Sequence, residues 1–296
     1  MKYLTPVLFV AAATVLSTAP AYADLGDQLF KLLANDGAAS DVFGWSVAIS
    51  GTTAIVGADG VDDNGFVSGA AYLFDTTTGQ QIAKLLPDDG AAYDHFGISV
   101  AISGATAIVG ANQDDDNGDF SGSAYLFATA TGRQIFKLLP DDGAAFDWFG
   151  QCVAVSGATA IVGALFDGDN GTESGSAYLF DATTGAQIAK LLADDGAGGD
   201  QFGWSVAISG ATAIGGAWTD DDNGIASGSA YLFDAAGAAG KCPWDLNGSG
   251  DVGILDLLAL LAVWGTDPGG PPDFDGDGTV GILDLLTLLA HWGTCP

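Results

Sequence analysis

The sequence predicts a mainly β fold, a four-bladed β-propeller followed by a small α-helical domain. Three observations predict it. A unit of short strands recurs four times at one spacing, the two ends of that array complement each other, and a shorter duplication follows near the C-terminus.

Phe-Gly stands at residues 43–44, 96–97, 149–150 and 202–203, 53 residues apart each time. After it comes a Ser-Val-Ala-Ile-Ser-like segment, in which Val47 and Ile49 alternate with small or polar neighbours. Such alternation marks a strand with one buried face. Ser50-Gly51 and the following Thr form a hairpin turn into a second strand that carries Ala54 and Val56. An Asp/Asn/Gly-rich loop leads to an aromatic strand, Tyr72-Leu73-Phe74, and Thr78-Gly79 turns into a fourth strand over residues 81–86. Four antiparallel strands in a period near 50 residues are the signature of a propeller blade.

The ends of the array set the blade number. Gln-x-x-Lys-Leu-Leu follows the aromatic strand at 81–86, 134–139 and 187–192, but not after the fourth aromatic strand at 231–233. The missing copy stands at the other terminus, Gln28-Leu29-Phe30-Lys31-Leu32-Leu33, again 53 residues before Gln81. If this N-terminal strand completes the last blade, a four-bladed ring closes without an exposed edge. A dimer closing an eight-bladed ring and an open solenoid are the competing readings. The units resemble the FG-GAP repeat of integrin-α heads, through Phe43-Gly44 with Val56-Gly57-Ala58, Phe96-Gly97 with Val109-Gly110-Ala111, and Phe149-Gly150 with Val162-Gly163-Ala164. The fourth unit has Phe202-Gly203 with Gly215-Gly216-Ala217. The resemblance implies a propeller with a binding or adhesion role and no catalysis.

The acidic loops lie at Asp62–Gly65, Asp114–Gly118, Asp167–Gly171 and Asp220–Gly224. They read first as tight turns, with Gly supplying positive φ, and second as weak calcium sites. Asp41, Asp94, Asp147 and Asp200 precede each Phe by two residues, a recurrence that suggests a structural cap. His95 replaces Val42, Trp148 and Gln201 at a variable position and is expected in solvent. Trp45, Trp148, Trp204 and Trp218 are expected to pack on the propeller, with ligand stacking as the alternative.

A second duplication, offset by 28 residues, pairs Asp245-Leu-Asn247-Gly-Ser249-Gly250-Asp251 through Asp256 with Asp273-Phe-Asp275-Gly-Asp277-Gly278-Thr279 through Asp284. Oxygen-bearing side chains stand at loop positions 1, 3 and 5, a Gly at 6 and Asp at 12, the pattern of a calcium-binding EF-hand loop. The expected calcium ligands are Asp245, Asn247, Ser249, Asp251, Asp256, Asp273, Asp275, Asp277, Thr279 and Asp284. Position 7, Asp251 or Thr279, would contribute its carbonyl. The first loop has Ser249 where the second has Asp277, one fewer negative charge, so the first site is expected to be weaker. Val252 and Val280 are expected to bridge the two loops. The helices that follow are apolar nearly all round, and His291 is expected at the surface. One loop and one helix, duplicated over residues 242–296, resemble a type I dockerin. That resemblance implies a cohesin-like partner, with positions 10 and 11, here Ile254-Leu255 and Ile282-Leu283, setting specificity.

Composition bounds the function. The 296-residue chain holds 37 acidic and 7 basic residues, for a net charge of −30. Glu173 is the only glutamate, so the acid is turn-forming and cation-binding Asp. This charge repels nucleic acid and anionic membranes. Lys2, the apolar Val7–Leu16 stretch and Ala21-Tyr22-Ala23 read as an export signal cleaved after Ala23. The domains expected are thus a signal peptide over 1–23, the propeller over 24–238 and the paired-loop module over 242–296. Cys242 and Cys295 flank that module and are expected to pair in an oxidising compartment, leaving Cys152 a free, buried thiol. No asymmetric acid pair or nucleophile–base set stands out. The expectation is a secreted, non-enzymatic scaffold for an extracellular protein, cell-surface or polysaccharide ligand. A lectin-like propeller and a polysaccharide-degrading component are the alternatives.

Overall fold

The computed structural model describes residues 25–235, 244, 246, 251–266, 272–274 and 278–294. Residues 1–23, Cys242, Cys295, Asp245, Asn247, Ser249, Asp275 and Asp277 fall outside the described residues, as does the side chain of Asp251. The chain divides into two compact units, Met1–Lys31 and Leu32–Pro296. In the first, the described residues 25–31 form a turn and irregular chain.

The repeat region of the second unit carries four antiparallel sheets. β1 (Val47–Ser50), β2 (Thr53–Ala58), β3 (Ala70–Asp75) and β4 (Gln81–Leu85) pair in sequence order. So do β5 (Ser99–Ser103), β6 (Thr106–Ala111), β7 (Ser123–Ala128) and β8 (Arg133–Leu138). The third sheet holds β9 (Phe149–Ser156), β10 (Thr159–Ala164), β11 (Ser176–Asp181) and β12 (Gln187–Leu191). The fourth holds β13 (Phe202–Ser209), β14 (Thr212–Ala217) and β15 (Ser229–Asp234). Short turns join the first two strands of each sheet, as in Ser50↔Thr53 across β1 and β2, and the acidic loop joins the second strand to the third.

The two halves of Phe-Gly have separate tasks. Phe96 packs edge-on between Tyr125 and Phe127 of its own sheet, with ring centres 5.5 and 5.7 Å away. Phe149 does the same between Tyr178 and Phe180. Gly97, at φ +95°, instead meets the previous sheet, against the carbonyl of Ala70. There it also approaches Gly57, where any Cβ would collide with the Gly97 carbonyl. Gly110 with Gly150, and Gly163 with Gly203, repeat this contact. Parallel bridges Gly69↔Phe96, Gly122↔Phe149 and Gly175↔Phe202 stitch the same seams. Hydroxyls complete them: Ser46 Oγ accepts from Val100 N and Ser50 Oγ from Gly104 N, at 3.0 and 3.1 Å.

The expected closing strand is not formed. The fourth sheet has three strands, and Gln28–Leu33 belongs to no sheet. The reason is connectivity. β4, β8 and β12 each follow their aromatic strand through a short turn, whereas residues 28–33 precede β15 by almost the whole array, so no local hairpin brings them together. Both end sheets show it: Val47 is 67% exposed where Val100 is 5%, and Leu232 is 73% exposed where Leu179 is 2%.

The C-terminal region holds β16 (Asp251–Val252), α1 (Ile254–Ala262), α2 (Ile282–Ala290) and β17 (Gly293–Thr294). Val252 pairs with Gly293 instead of bridging to Val280. Val280 in turn exchanges backbone bonds with Gly265 and Thr266 at the end of the first helix. Each loop thus pairs with the chain leaving the other half's helix, and Val252, Val280, Leu260 and Leu288 meet in one buried cluster. Among the described residues no helix is long and apolar enough to cross a membrane.

Candidate functional site

A cluster of charge lies on each of the first three sheets where the fourth strand passes the acidic loop. In the second sheet, Lys137 stands opposite Tyr125 in the β7–β8 register. Its Nζ reaches Asp89, Asp114 and Asp116 at 2.7, 3.0 and 2.6 Å and lies 5.1 Å from the centre of the Tyr125 ring. The Tyr125 hydroxyl donates to Asp114 at 2.8 Å. Lys190 repeats the arrangement with Asp142, Asp167, Asp169 and Tyr178. Lys84 has the shorter set Asp36 and Asp63, because Val61 occupies the place of Asp114.

These groups determine one another's ionisation. Burial opposes the charge on Lys137, but the carboxylates of Asp116, Asp89 and Asp114 hold its ammonium above the ordinary lysine range. Burial likewise opposes the charge on Asp89, yet the Lys137 ammonium holds it below the usual carboxylate range. Burial pushes Tyr72 up to about 12. In each of the first three blades one lysine therefore sits where a bound cation would neutralise the loop. The loops themselves are Asx-type turns: Asp115 Oδ1 accepts from Phe120 N and Asp114 Oδ1 from Asp116 N. The lysine was visible in the sequence as the fixed fourth residue of Gln-x-x-Lys-Leu-Leu. Only the fold shows that it meets the acidic loop.

The recurrent Asp before each Phe is a cap. Asp41, Asp94, Asp147 and Asp200 accept from the backbone N–H of Ala38, Ala91, Ala144 and Ala197, at 2.6 to 2.7 Å. Burial raises Asp94 and Asp147 to about 6. His95 is half-buried, with Nδ1 3.4 Å from Asp59. What its position shares across the repeats is backbone: Val42, His95, Trp148 and Gln201 all have φ between +54° and +57°. Trp204 and Trp218 pair with each other at 5.0 Å, and Trp148 packs on Phe166 at 4.9 Å. Cys152 is free, and its Sγ takes the place of a serine hydroxyl toward Val206 N.

In the C-terminal loops, Asp284 is buried and accepts from Phe274 N and Gly281 N, both at 2.7 Å. Asp256 does the same for Leu246 N and Gly253 N, at 2.8 and 2.7 Å. Each position-12 carboxylate thus ties the start of its loop to the first turn of its helix. Asp273 accepts from Gly278 N at 2.9 Å, folding position 1 over position 6. Thr279 follows Gly278 in the same loop. No cluster of three or more His, Cys, Asp or Glu able to hold a metal is assembled among the described residues, which exclude half of the expected ligands. The oxygen chemistry of the residues present fits a hard cation. His291 stacks on Trp244, with ring centres 3.3 Å apart.

The FG-GAP repeat pattern matches residues 27–74, 80–127, 133–180 and 186–233. No curated protein sequence matches the chain. Among solved structures, the computationally designed Ika4 protein is 17% identical, with a TM-score of 0.43 over 71% of this chain and 98% of its own. Kuenenia stuttgartiensis hydrazine synthase is 14% identical, with a TM-score of 0.47 over 71% of this chain and 50% of its own. The computationally designed Ika8 protein is 15% identical, with a TM-score of 0.39 over 65% of this chain and 45% of its own. The chain thus spans half or less of the length of those last two.

Proposed function

From the premise that this chain belongs to the FG-GAP repeat family, we propose that it is a secreted, non-catalytic scaffold whose C-terminal helices dock it to an extracellular partner in a calcium-dependent way. One observation carries the reading. α1 and α2 bury only one stripe each and leave Ile254, Leu255, Ile282 and Leu283 exposed at their first turns. Apolar residues displayed in duplicate on short helices are an interaction surface rather than a core. Calcium held by Asp245, Asn247, Ser249, Asp251 and Asp256, and by Asp273, Asp275, Asp277, Thr279 and Asp284, would fix both loops and so the spacing of that surface. The partner is a cohesin-like domain or another apolar extracellular surface. The Cys242–Cys295 disulfide would clamp the ends of the module.

Absence of catalysis rests on symmetry. The strongly perturbed carboxylates and lysines of the blades recur as the same structural set, and each has a structural partner. A lectin-like use of the propeller is the second reading, favoured by the exposed Trp204–Trp218 pair. Both are tested on the immobilised full-length chain, with polysaccharides and extracellular proteins applied in calcium or EDTA. The scaffold reading expects calcium-dependent retention of a protein with no release of sugar. Polysaccharide hydrolysis that withstands repurification would overturn it, and glycan retention unaffected by EDTA would favour the lectin.

A further inference from the structure

The fourth blade has every part of the charged cluster except its cation. Asp195, Asp220 and Asp222 are the 53-residue counterparts of Asp142, Asp167 and Asp169, and the Tyr231 hydroxyl donates to Asp220 at 2.7 Å. No lysine or arginine pairs with these carboxylates among the described residues. Repulsion shows: Asp220 foremost, then Asp195, raise Asp222 above the ordinary carboxylate value. The position 53 residues after Lys190 is Pro243, which carries no charge. The position 53 residues before Lys84 is Lys31.

The hydrogen-bonding register gives the same answer independently. Gln81, Gln134 and Gln187 each accept, through Oε1, from the backbone N–H of Asn35, Asp88 and Asp141, at 2.9 Å. The next donor in the series is Asp194 N, and the remaining glutamine of the series is Gln28.

The sheet faces match as well. At each internal seam a serine or cysteine of one blade accepts from an N–H of the next: Ser46 from Val100, Ser99 from Val153, and Cys152 from Val206. Their successor on the last blade is Ser205, which is exposed, and the donor that would meet it is Val47 N of a first blade. Ser50, Ser103 and Ser156 likewise serve Gly104, Gly157 and Gly210, leaving exposed Ser209 to await Gly51. Gly97, Gly150 and Gly203 each press on the preceding blade, while Gly44 meets nothing within 4 Å.

We propose that two copies of this chain join head to tail, the first blade of each seated on the fourth blade of the other, into an eight-bladed ring. In it, Gln28–Leu33 of one copy supplies the missing fourth strand beside β15 of its partner and places Lys31 among Asp195, Asp220 and Asp222. The occupant of the free face is a second copy because the surface it needs is the one this chain repeats at three internal seams. The two-fold arrangement uses the same contact twice and leaves no open end.

The test is complementation in trans with full-length chains. The parent should have twice the chain mass by light scattering after gel filtration. Lys31→Glu puts an acid among acids, and Asp222→Lys puts a cation where Lys31 must bind; each alone should reduce the mass to one copy. Mixed, they should regain the two-copy mass, since each interface then pairs opposite charges. Lys241→Glu should leave the parent mass unchanged. Three results would overturn the proposal: a monomeric parent, Lys31→Glu lowering the melting temperature at constant monomer mass with no rescue on mixing, or a higher polymer. The first two would point to closure within one chain or an open array. Matching far-ultraviolet circular dichroism of variants and parent separates lost assembly from lost folding.

Discussion

Lys137 shows how a single residue can set the stability of a blade. Replacing it with Met keeps the apolar stem but leaves Asp89, Asp114 and Asp116 facing one another. Removing one partner of a largely buried ion pair costs about 3 kcal/mol. Lys137→Met should lower urea-unfolding stability by about that amount, whereas the exposed Arg133→Ala in the same strand should change it by less than about 0.5 kcal/mol. Equal effects would show that the cluster contributes nothing specific. The aspartates act in opposite directions with pH. Asp36, Asp89 and Asp142 are held below their ordinary values, so their contribution is present above pH ~4 and is lost as pH falls. Asp94 and Asp147 are raised to about 6, so the folded state prefers their protonated form and their ionisation erodes stability as pH rises from ~4 to 6. Asn at both positions keeps the acceptor for Ala91 N and Ala144 N without the charge. The stability of that double variant relative to the parent should rise through this window and level off above it; a flat or falling difference would contradict the burial argument.

At the scale of elements, the seams between sheets depend on residues without side chains. Gly110 in β6 lies against the Gly150 carbonyl, and neither backbone can retreat without breaking the Gly122↔Phe149 bridge. Gly110→Ala should therefore destabilise by about 1–3 kcal/mol through overpacking, read from denaturant midpoints. Cys152→Ser should cost less than about 1 kcal/mol, because serine already fills that role at Ser46 and Ser99. A large loss would mean that the thiol does more than accept from Val206. Strand positions, the hairpin turns and the Asp caps were legible in the sequence because alternation, turn chemistry and strict recurrence are local signals. The left-handed backbone at Val42, His95, Trp148 and Gln201 was not legible, since their side chains have nothing in common. The pairing of Val252 with Gly293 was also hidden, because it depends on how the two helices pack.

Across the whole molecule, the same limit explains the array's ends. The sequence carries a strand-like copy at Gln28–Leu33, and the structure leaves the last sheet at three strands with both terminal faces exposed. Which fourth blade such a copy completes is a matter of distance between remote parts, and periodicity says nothing about that. Function divides the 37 acidic residues in the same manner. The aspartates gathered around Lys84, Lys137 and Lys190 have an internal cation, and those of the C-terminal loops have the spacing of calcium ligands. Calorimetric titration of the metal-free full-length chain with calcium separates the two groups. Two ions per chain should bind, with Asp273→Ala removing one and Lys137→Met adding none at micromolar concentrations. No binding, or four or more ions per chain with Asp273→Ala leaving the number unchanged, would contradict the assignment of calcium to the paired loops.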